Sequence, residues 1–433
     1  MNTKLIEFSF GNYRSFKETV TLSMVAAKLN SQDDQIDKGN TIHLKGNPTL
    51  LTSTAIYGAN ASGKSNVIDA ITFMRSFVVN SSRDAQIDEP INVSHFRLSV
   101  ENNKKPSFFE VVFLLDNIKY RYGFEVNRKK VISEWLFFVP RTKEVQLFIR
   151  DQKGIKVSRN FTEGQKMQEK TRPNALFLSV VAQFNGTKAT QVVSWFKYIR
   201  IISGLNDRSY KGFTIKCFEN KKLRSSIIKL FQQLDLGITN ISSEKRKEAD
   251  YLKFINLDAL QPKVREQFLR SLEADQVTIQ TSHKKYDKLG KPVAEEIFNL
   301  KGDESSGTEK LFYLTAPLLD VLASGRILFI DEIEASLHPL ITKKIIELFN
   351  SPEQNTKRAQ LIFTTHDTNL LSKKQFRRDQ IWFVEKDQKG ASDLYSLAEL
   401  KIRNDASFDK DYIQGRYGAI PFLGDFRQVI KDL

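Results

Sequence analysis

The octapeptide Gly58-Ala59-Asn60-Ala61-Ser62-Gly63-Lys64-Ser65 constrains this chain more than any other stretch. Glycines at its first and sixth positions permit backbone conformations closed to other residues, so that N–H groups can converge on an anion. Lys64 adds an ammonium group and Ser65 a hydroxyl. A loop of this kind works between a strand and a helix, with the helix N-terminus facing the ligand. Both flanks fit, since the apolar Ala55-Ile56-Tyr57 precedes it and Asn66 to Met74 follows with helical apolar spacing. The expected fold class is therefore α/β with a P-loop at a strand–helix junction. The expected ligand is a nucleoside triphosphate contacted by Gly58, Asn60, Ser62, Gly63, Lys64, Ser65 and Asn66. Lys64 would reach the β- and γ-phosphates and Ser65 would ligate Mg²⁺; the plain alternative is a glycine turn with no ligand.

A second cluster lies far along the chain. Ile327-Leu328-Phe329-Ile330-Asp331-Glu332 is four apolar residues ending in two carboxylates, the pattern of a buried parallel strand whose C-terminal tip meets a metal ion. Asp331 is expected to hold Mg²⁺ through water and Glu332 to orient or deprotonate an attacking water. The plain alternative is a core strand with an acidic end. Leu361-Ile362-Phe363-Thr364-Thr365-His366 repeats the form, and a neutral His366 imidazole could donate to a γ-phosphate or serve structure alone. Asp303 to Lys310 places Ser305 and Gly307 just before the helical run Leu311 to Leu322, as an N-cap or a second anion site.

The remaining pattern organises the chain around these clusters. Leu5 to Phe10 and Val20 to Val25 alternate like paired strands, and Phe108–Leu115, Lys119–Val126, Trp135–Val139 and Val145–Ile149 suggest an antiparallel meander. Helical spacing over Leu223 to Leu234 and Val264 to Leu272 suggests an inserted helical lobe. The expected division is an N-terminal lobe over 1–189, a helical insertion over 190–275 and a C-terminal lobe over 276–433. Lys and Arg number 66 against 51 Asp and Glu, and the net charge of +15 admits nucleic acid or an acidic protein as partner, or a mixed-charge solvated surface. Cys217 is the only cysteine, which removes a disulfide framework, and the five histidines show no zinc spacing. With no signal-like start and no run long enough to span a bilayer, a cytoplasmic protein without membrane partners is expected.

The order of motifs resembles the ABC/SMC-like ATPases, in particular the overcoming-lysogenisation-defect-like branch of prokaryotic abortive-infection ATPases. It is carried by Asn12-Tyr13-Arg14-Ser15-Phe16, the P-loop, Glu304-Ser305-Ser306-Gly307-Thr308, Asp331 through Pro339, Thr365-His366-Asp367, and the tail Gly415 through Phe422. The resemblance implies an ABC-type ATPase head hydrolysing ATP with Mg²⁺, in which Lys64, Glu332 and His366 serve catalysis. It also implies a homodimer or higher homo-oligomer in which Ser305 and Gly307 of one copy complete the phosphate site of another. Ser306 and Thr308 stand where the usual signature has glycine and glutamine. Arg14 matches a nucleotide-contacting arginine, and Gln183 matches a Mg²⁺-ligating glutamine or simply ends an amphipathic helix. About a hundred residues follow Glu332, with no Toprim nuclease among them, so the implied role is an ATP-gated sensor of antiviral defence controlling a separate nuclease or toxin. A DNA-repair or recombination ATPase that clamps DNA is the alternative, and a transporter subunit a third reading.

Overall fold

The computed structural model describes residues 3–29, 34–44, 46–83, 89–206, 208–234, 236–245, 277–402 and 406–421. The chain forms two compact units, one of Met1–Ile201, Leu322–Ile333 and Thr342–Leu433, the other of Ile202–Val321 and Glu334–Ile341. The first unit opens with β1 (Thr3–Gly11), β2 (Val20–Ser23), α1 (Asp34–Asn40), β3 (Thr41–Ile42), β4 (Leu50–Leu51), β5 (Ser53–Tyr57) and α2 (Lys64–Asn80). The meander follows as β6 (Ser107–Leu115), β7 (Ile118–Val126), β8 (Val131–Val139), β9 (Val145–Asp151) and β10 (Gly154–Val157). Then come α3 (Phe177–Gln183), α4 (Thr187–Tyr198) and β11 (Ile199–Ser203).

Beyond these lie α5 (Arg208–Glu219), α6 (Lys221–Gln233), β12 (Ile238–Lys245), β13 (Val277–Tyr286), β14 (Pro292–Asn299) and α7 (Ser306–Ser324). The chain closes with β15 (Ile327–Asp331), α8 (Pro339–Asn350), β16 (Gln360–Thr364), β17 (Ile381–Lys386), β18 (Ser392–Ser396) and α9 (Phe408–Ile413).

Among the described residues two large sheets, with the short pair β3-β4 beside them, hold the first unit. The antiparallel one runs β10-β9-β8-β7-β6-β1-β2, so the expected meander and the expected N-terminal pair belong to one sheet. The other runs β11-β15-β16-β5-β17-β18, with β15, β16, β5 and β17 parallel and β18 antiparallel. Its central strands are continuous apolar runs because both faces are covered; every residue of β5 and β16 is buried.

The helix α2 buries Val67, Ile68, Ala70, Ile71, Met74 and Val78 in a core that includes residues of both sheets. From the meander, Phe124 meets Phe77 at 5.5 Å and Phe113 stacks on Trp195 of α4 at 4.2 Å. Burying side chains of this size stabilises by about 1.5–3 kcal/mol each. A helix held on more than one side in this way keeps a fixed axis, and so fixes where its N-terminus points.

The second unit carries the antiparallel sheet β12-β13-β14. Phe218 of α5 and Phe231 of α6 pack on Phe312 at 5.4 and 6.2 Å. The stretch expected as a helical lobe over 190–275 thus holds most of α4, with α5 and α6, but also two strands, β11 and β12. A bulge between Ile238 and Asn240 changes the register, so buried Ile238 and Ile241 are three residues apart and mimic a helical period. The run Val264 to Leu272 lies outside the described residues. The units also divide near residue 201, with α4 in the first unit.

Candidate functional site

The site begins with the sheet order. Because β16 lies between β5 and β15, the tips of the strands ending in Tyr57, Asp331 and Thr364 come together at one edge. The P-loop leaves β5 through Gly58 at φ +153°, where a Cβ would lie 2.3 Å from the Val384 carbonyl oxygen. It enters α2 through Gly63 at φ +116°, which leaves the first turn without a side-chain cap. A cavity of about 860 Å³ opens here, lined by Asn60, Ala61, Gly63, Lys64, Ser65, Asn66, Glu332, His366 and Lys386.

The polar groups are arranged in pairs. Lys64 is buried and its Nζ donates to the Gly58 and Ala59 carbonyls at 2.8 and 3.0 Å. The Ser65 hydroxyl donates to Asp331 Oδ1 at 3.2 Å, so the two residues expected to share a metal already meet. Thr364 Oγ1 donates to the same Asp331 oxygen at 2.6 Å and accepts from the Glu332 N–H at 2.7 Å. Glu332 holds φ +51°, a left-handed conformation that costs a non-glycine residue energy and turns the chain off the end of β15.

Further out, Arg14 pairs with Asp69 at 2.6 Å and donates to Asn66 Oδ1 at 3.4 Å. Burial raises the Asp69 carboxyl above the usual range; Arg14 opposes this and Asp331 adds to it. The tail wraps aromatic rings around Phe383: Tyr412 stacks on it at 5.3 Å and Tyr417 lies at 6.0 Å, while Tyr412 also meets Tyr57 at 5.9 Å.

The expected site residues Asn60, Gly63, Lys64, Ser65, Asn66, Glu332 and His366 therefore line one cavity, with Asp331 hydrogen-bonded to Ser65 at its wall. Gly58 and Ser62 complete the loop. The Ser62 hydroxyl is buried and finds no hydrogen-bond partner among the described residues, an acceptor–donor group left over beside two glycines. That leftover group, the Lys64 ammonium and the uncapped helix start fit a phosphate chain, and the Ser65–Asp331 oxygens fit Mg²⁺.

Gln183 is placed elsewhere. It is exposed at the end of α3, whose start is tied to the far end of α2 by Leu176 N–H to Ser81 Oγ at 3.2 Å and Ser179 Oγ to the Val78 carbonyl at 2.6 Å. From Lys64 to Val78 the helix rises about 21 Å, and Gln183 does not line the cavity. Its apolar approach, Phe177 to Val181, is the buried face of a short helix. Ser305 and Gly307 belong to the second unit. There the exposed Ser305 caps α7 by accepting from Thr308 N–H at 3.1 Å, and a Cβ on Gly307 would lie 2.6 Å from the Ser336 carbonyl oxygen. Packing alone thus accounts for that glycine.

Sequence reasoning assigned no role of their own to Thr364 and Ser15, which it met only as members of longer motifs, and none to Lys386, Asp69 and Ser392. Lys386 had a signal, since Ile381-Trp382-Phe383-Val384-Glu385-Lys386 is a third apolar run with a charged tip.

Fold and site together define a P-loop ATPase domain of α/β class with an attached antiparallel sheet. Residues 53–372, more than half of the chain, match the family described as "AAA domain, putative AbiEii toxin, Type IV TA system", and the chain belongs to that family. Among solved structures it is similar to the SMC head domain from Thermotoga maritima, with 13% identity, TM-score 0.40, and 92% of this chain and 100% of that one covered. An SmcHead bound to the C-winged helix domain of ScpA gives 14%, 0.43, 90% and 97%. The cbiO1 protein from Clostridium perfringens, part of the ABC transporter complex cbiONQ, gives 10%, 0.30, 95% and 92%. No curated protein matches the chain. Among the described residues no helix is long and apolar enough to cross a membrane.

Proposed function

We propose that this chain hydrolyses ATP with Mg²⁺ and works as an ATP-gated homodimeric switch in prokaryotic antiviral defence, within the overcoming-lysogenisation-defect-like branch. The observation that carries the ATPase reading is the meeting of Lys64, Ser65, Glu332 and His366 in one cavity, with Asp331 bonded to Ser65. Lys64 and the loop amides would hold the phosphates, and Ser65 with Asp331 would hold the metal. Bound Mg²⁺ would supply charge neutralisation on the phosphoryl oxygens. Glu332, carried past the strand tip by its left-handed backbone, would take the proton of the attacking water, and His366 would donate to the terminal phosphate. Ser305 and Gly307 of a second copy are proposed to close the site, and a separate nuclease or toxin to receive the signal. The defence role draws support from the toxin–antitoxin description of the family.

The test is a Glu332→Gln variant assayed with the parent. The expected result is retained ATP binding, hydrolysis lowered at least about 100-fold, and an ATP-dependent dimer on sizing. Hydrolysis at the parent rate would remove Glu332 from the mechanism. Phage challenge of cells carrying the chain with and without its genomic neighbours tests the defence role, which fails if the chain alone protects and Lys64→Ala leaves that protection intact.

The net charge of +15 and the lysines Lys284, Lys288 and Lys291 of the β13–β14 hairpin, where Lys285 is already paired with Glu296, favour DNA clamping as a second reading. It requires ATP-stimulated DNA binding that weakens steeply with salt.

A further inference from the structure

The P-loop is gripped from behind by two serines that come from opposite ends of the chain. Ser392, the first residue of β18, is buried; its hydroxyl donates to the Ser62 carbonyl at 2.5 Å, and its oxygen lies at hydrogen-bond distance, 2.8 Å, from Ser15 Oγ, whose own hydrogen can close that contact. Ser15 Oγ also accepts from Asn66 Nδ2 at 2.7 Å, and the Ser392 N–H donates to the Ser15 carbonyl at 2.7 Å. Between them sits Gly63, where a Cβ would lie 2.6 Å from Ser15 Oγ and 2.7 Å from Ser392 Oγ. The approach is so close that glycine is required for contact as well as for its positive φ.

The geometry has one direct consequence. In a trans peptide the C=O of residue i and the N–H of residue i+1 point opposite ways. A hydrogen bond that ties the Ser62 carbonyl to Ser392 therefore aims the Gly63 N–H away from the serine pair, and Gly63 lines the cavity. Asn66, held by Ser15, lines the same cavity one turn along. We propose that Ser15 and Ser392 are positioning residues that preset the Ser62–Gly63 peptide and Asn66 for an anionic phosphate chain. An amide fixed in advance loses no freedom when the ligand arrives, whereas a loop that can rotate this peptide must be ordered by the ligand.

This inference rests on the nucleotide-binding reading of the cavity. It is tested by titrating a fluorescent ATP analogue into the parent, Ser392→Ala, Ser15→Ala, the double variant and Ser396→Ala, with steady-state ATPase assays alongside. Ser396 lies on the same strand and its hydroxyl donates to Ile381 O at 3.3 Å, so it controls for loss of a buried hydroxyl. Ser392→Ala and Ser15→Ala are expected to weaken binding about 10-fold each, with kcat at saturation within about twofold. The double variant is expected to be little worse than either single one, because the two serines act through one network. Ser396→Ala should lower the melting temperature and leave affinity unchanged.

Affinity within twofold of the parent in both Ser392→Ala and Ser15→Ala overturns the inference, as does equal weakening by Ser396→Ala. Fully additive losses overturn the shared network. Lys64→Ala separates the levels: if the parent binds nucleotide and Lys64→Ala does not, the reading of the cavity stands whatever the serines do. A parent that binds no nucleotide removes both.

Discussion

The Thr364 hydroxyl donates to Asp331 Oδ1 at 2.6 Å, linking the tips of two adjacent parallel strands. The same hydroxyl accepts from the Glu332 N–H at 2.7 Å, so one side chain holds the Asp331 carboxylate and the backbone of Glu332 just past the β15 tip. Thr364→Val keeps the shape but leaves the Glu332 N–H without an acceptor, at a cost of about 1–3 kcal/mol. The expected result is a matching loss of stability in denaturant melts and a fall in hydrolysis of about 10-fold or more with ATP binding largely kept. Thr364→Ser should restore most of both, and equal activity in Thr364→Val and the parent would show that the bridge does not position the site.

Glu332 sits at φ +51°, a conformation that glycine adopts at no steric cost. The strain is of order 1 kcal/mol, and the greater freedom of glycine in the unfolded chain offsets a similar amount. Glu332→Gly is therefore expected to melt within a few degrees of the parent while losing hydrolysis. A large fall in melting temperature would mean that the carboxylate itself holds the fold.

Arg14 is held by Asp69 at 2.6 Å, and both side chains are more than a third exposed. A nucleotide phosphate reached by Arg14 would compete with Asp69 for the guanidinium. An exposed ion pair contributes roughly 0.2–1 kcal/mol, so Asp69→Asn should tighten ATP binding by up to about fivefold at low salt. Arg14→Ala should weaken it, and calorimetric titration reads both. Unchanged affinity in both variants would remove Arg14 from the site.

What the sequence made legible was what repeats at short range. The P-loop, the apolar runs ending at Asp331 and His366, and the alternating strands of the meander all declare themselves within ten residues. The strand β12 was hidden by its bulge, which breaks the two-residue period that identifies a strand. Gln183 was drawn towards the site by residue type, while the burial of Phe177 to Val181 decides its place. The Ser15–Ser392 bond joins residues 377 positions apart, and although Ser15 stands in the Asn12 to Phe16 motif, nothing local to either serine announces the other. Long-range polar contacts of that kind are set by how strands order in the sheet, which no window of sequence contains.

Lys4 offers a test of the fold that is independent of the site. Burial pulls its ammonium group down to about 8, and its Nζ donates to the Thr3 carbonyl at 2.9 Å. The folded state then binds its proton less tightly than the unfolded state, so this residue's contribution rises with pH from about 8 towards 10.5 and is lost below it. The difference amounts to about 3 kcal/mol at most. Subtracting the stability of Lys4→Met from that of the parent across this range isolates it, since the buried tyrosines titrate in both. A flat difference would place the ammonium in contact with water.

Lys386 and Lys64 line the same cavity, yet Lys64 is buried and Lys386 is exposed at the tip of β17. Both ammonium groups would face a triphosphate, but water and salt reach only the second freely. An exposed charge a few ångströms from its partner contributes about 1 kcal/mol at low ionic strength, and the Debye length falls from about 10 Å at 0.1 M to about 3 Å at 1 M. Lys386→Gln is expected to weaken ATP binding about fivefold in dilute buffer and hardly at all near 1 M salt, whereas Lys64→Ala should abolish binding at both. The loss should also be smaller for ADP than for ATP, because one phosphate fewer is left to attract the charge. A salt-independent loss in Lys386→Gln would mean that the lysine closes over the ligand and becomes buried with it.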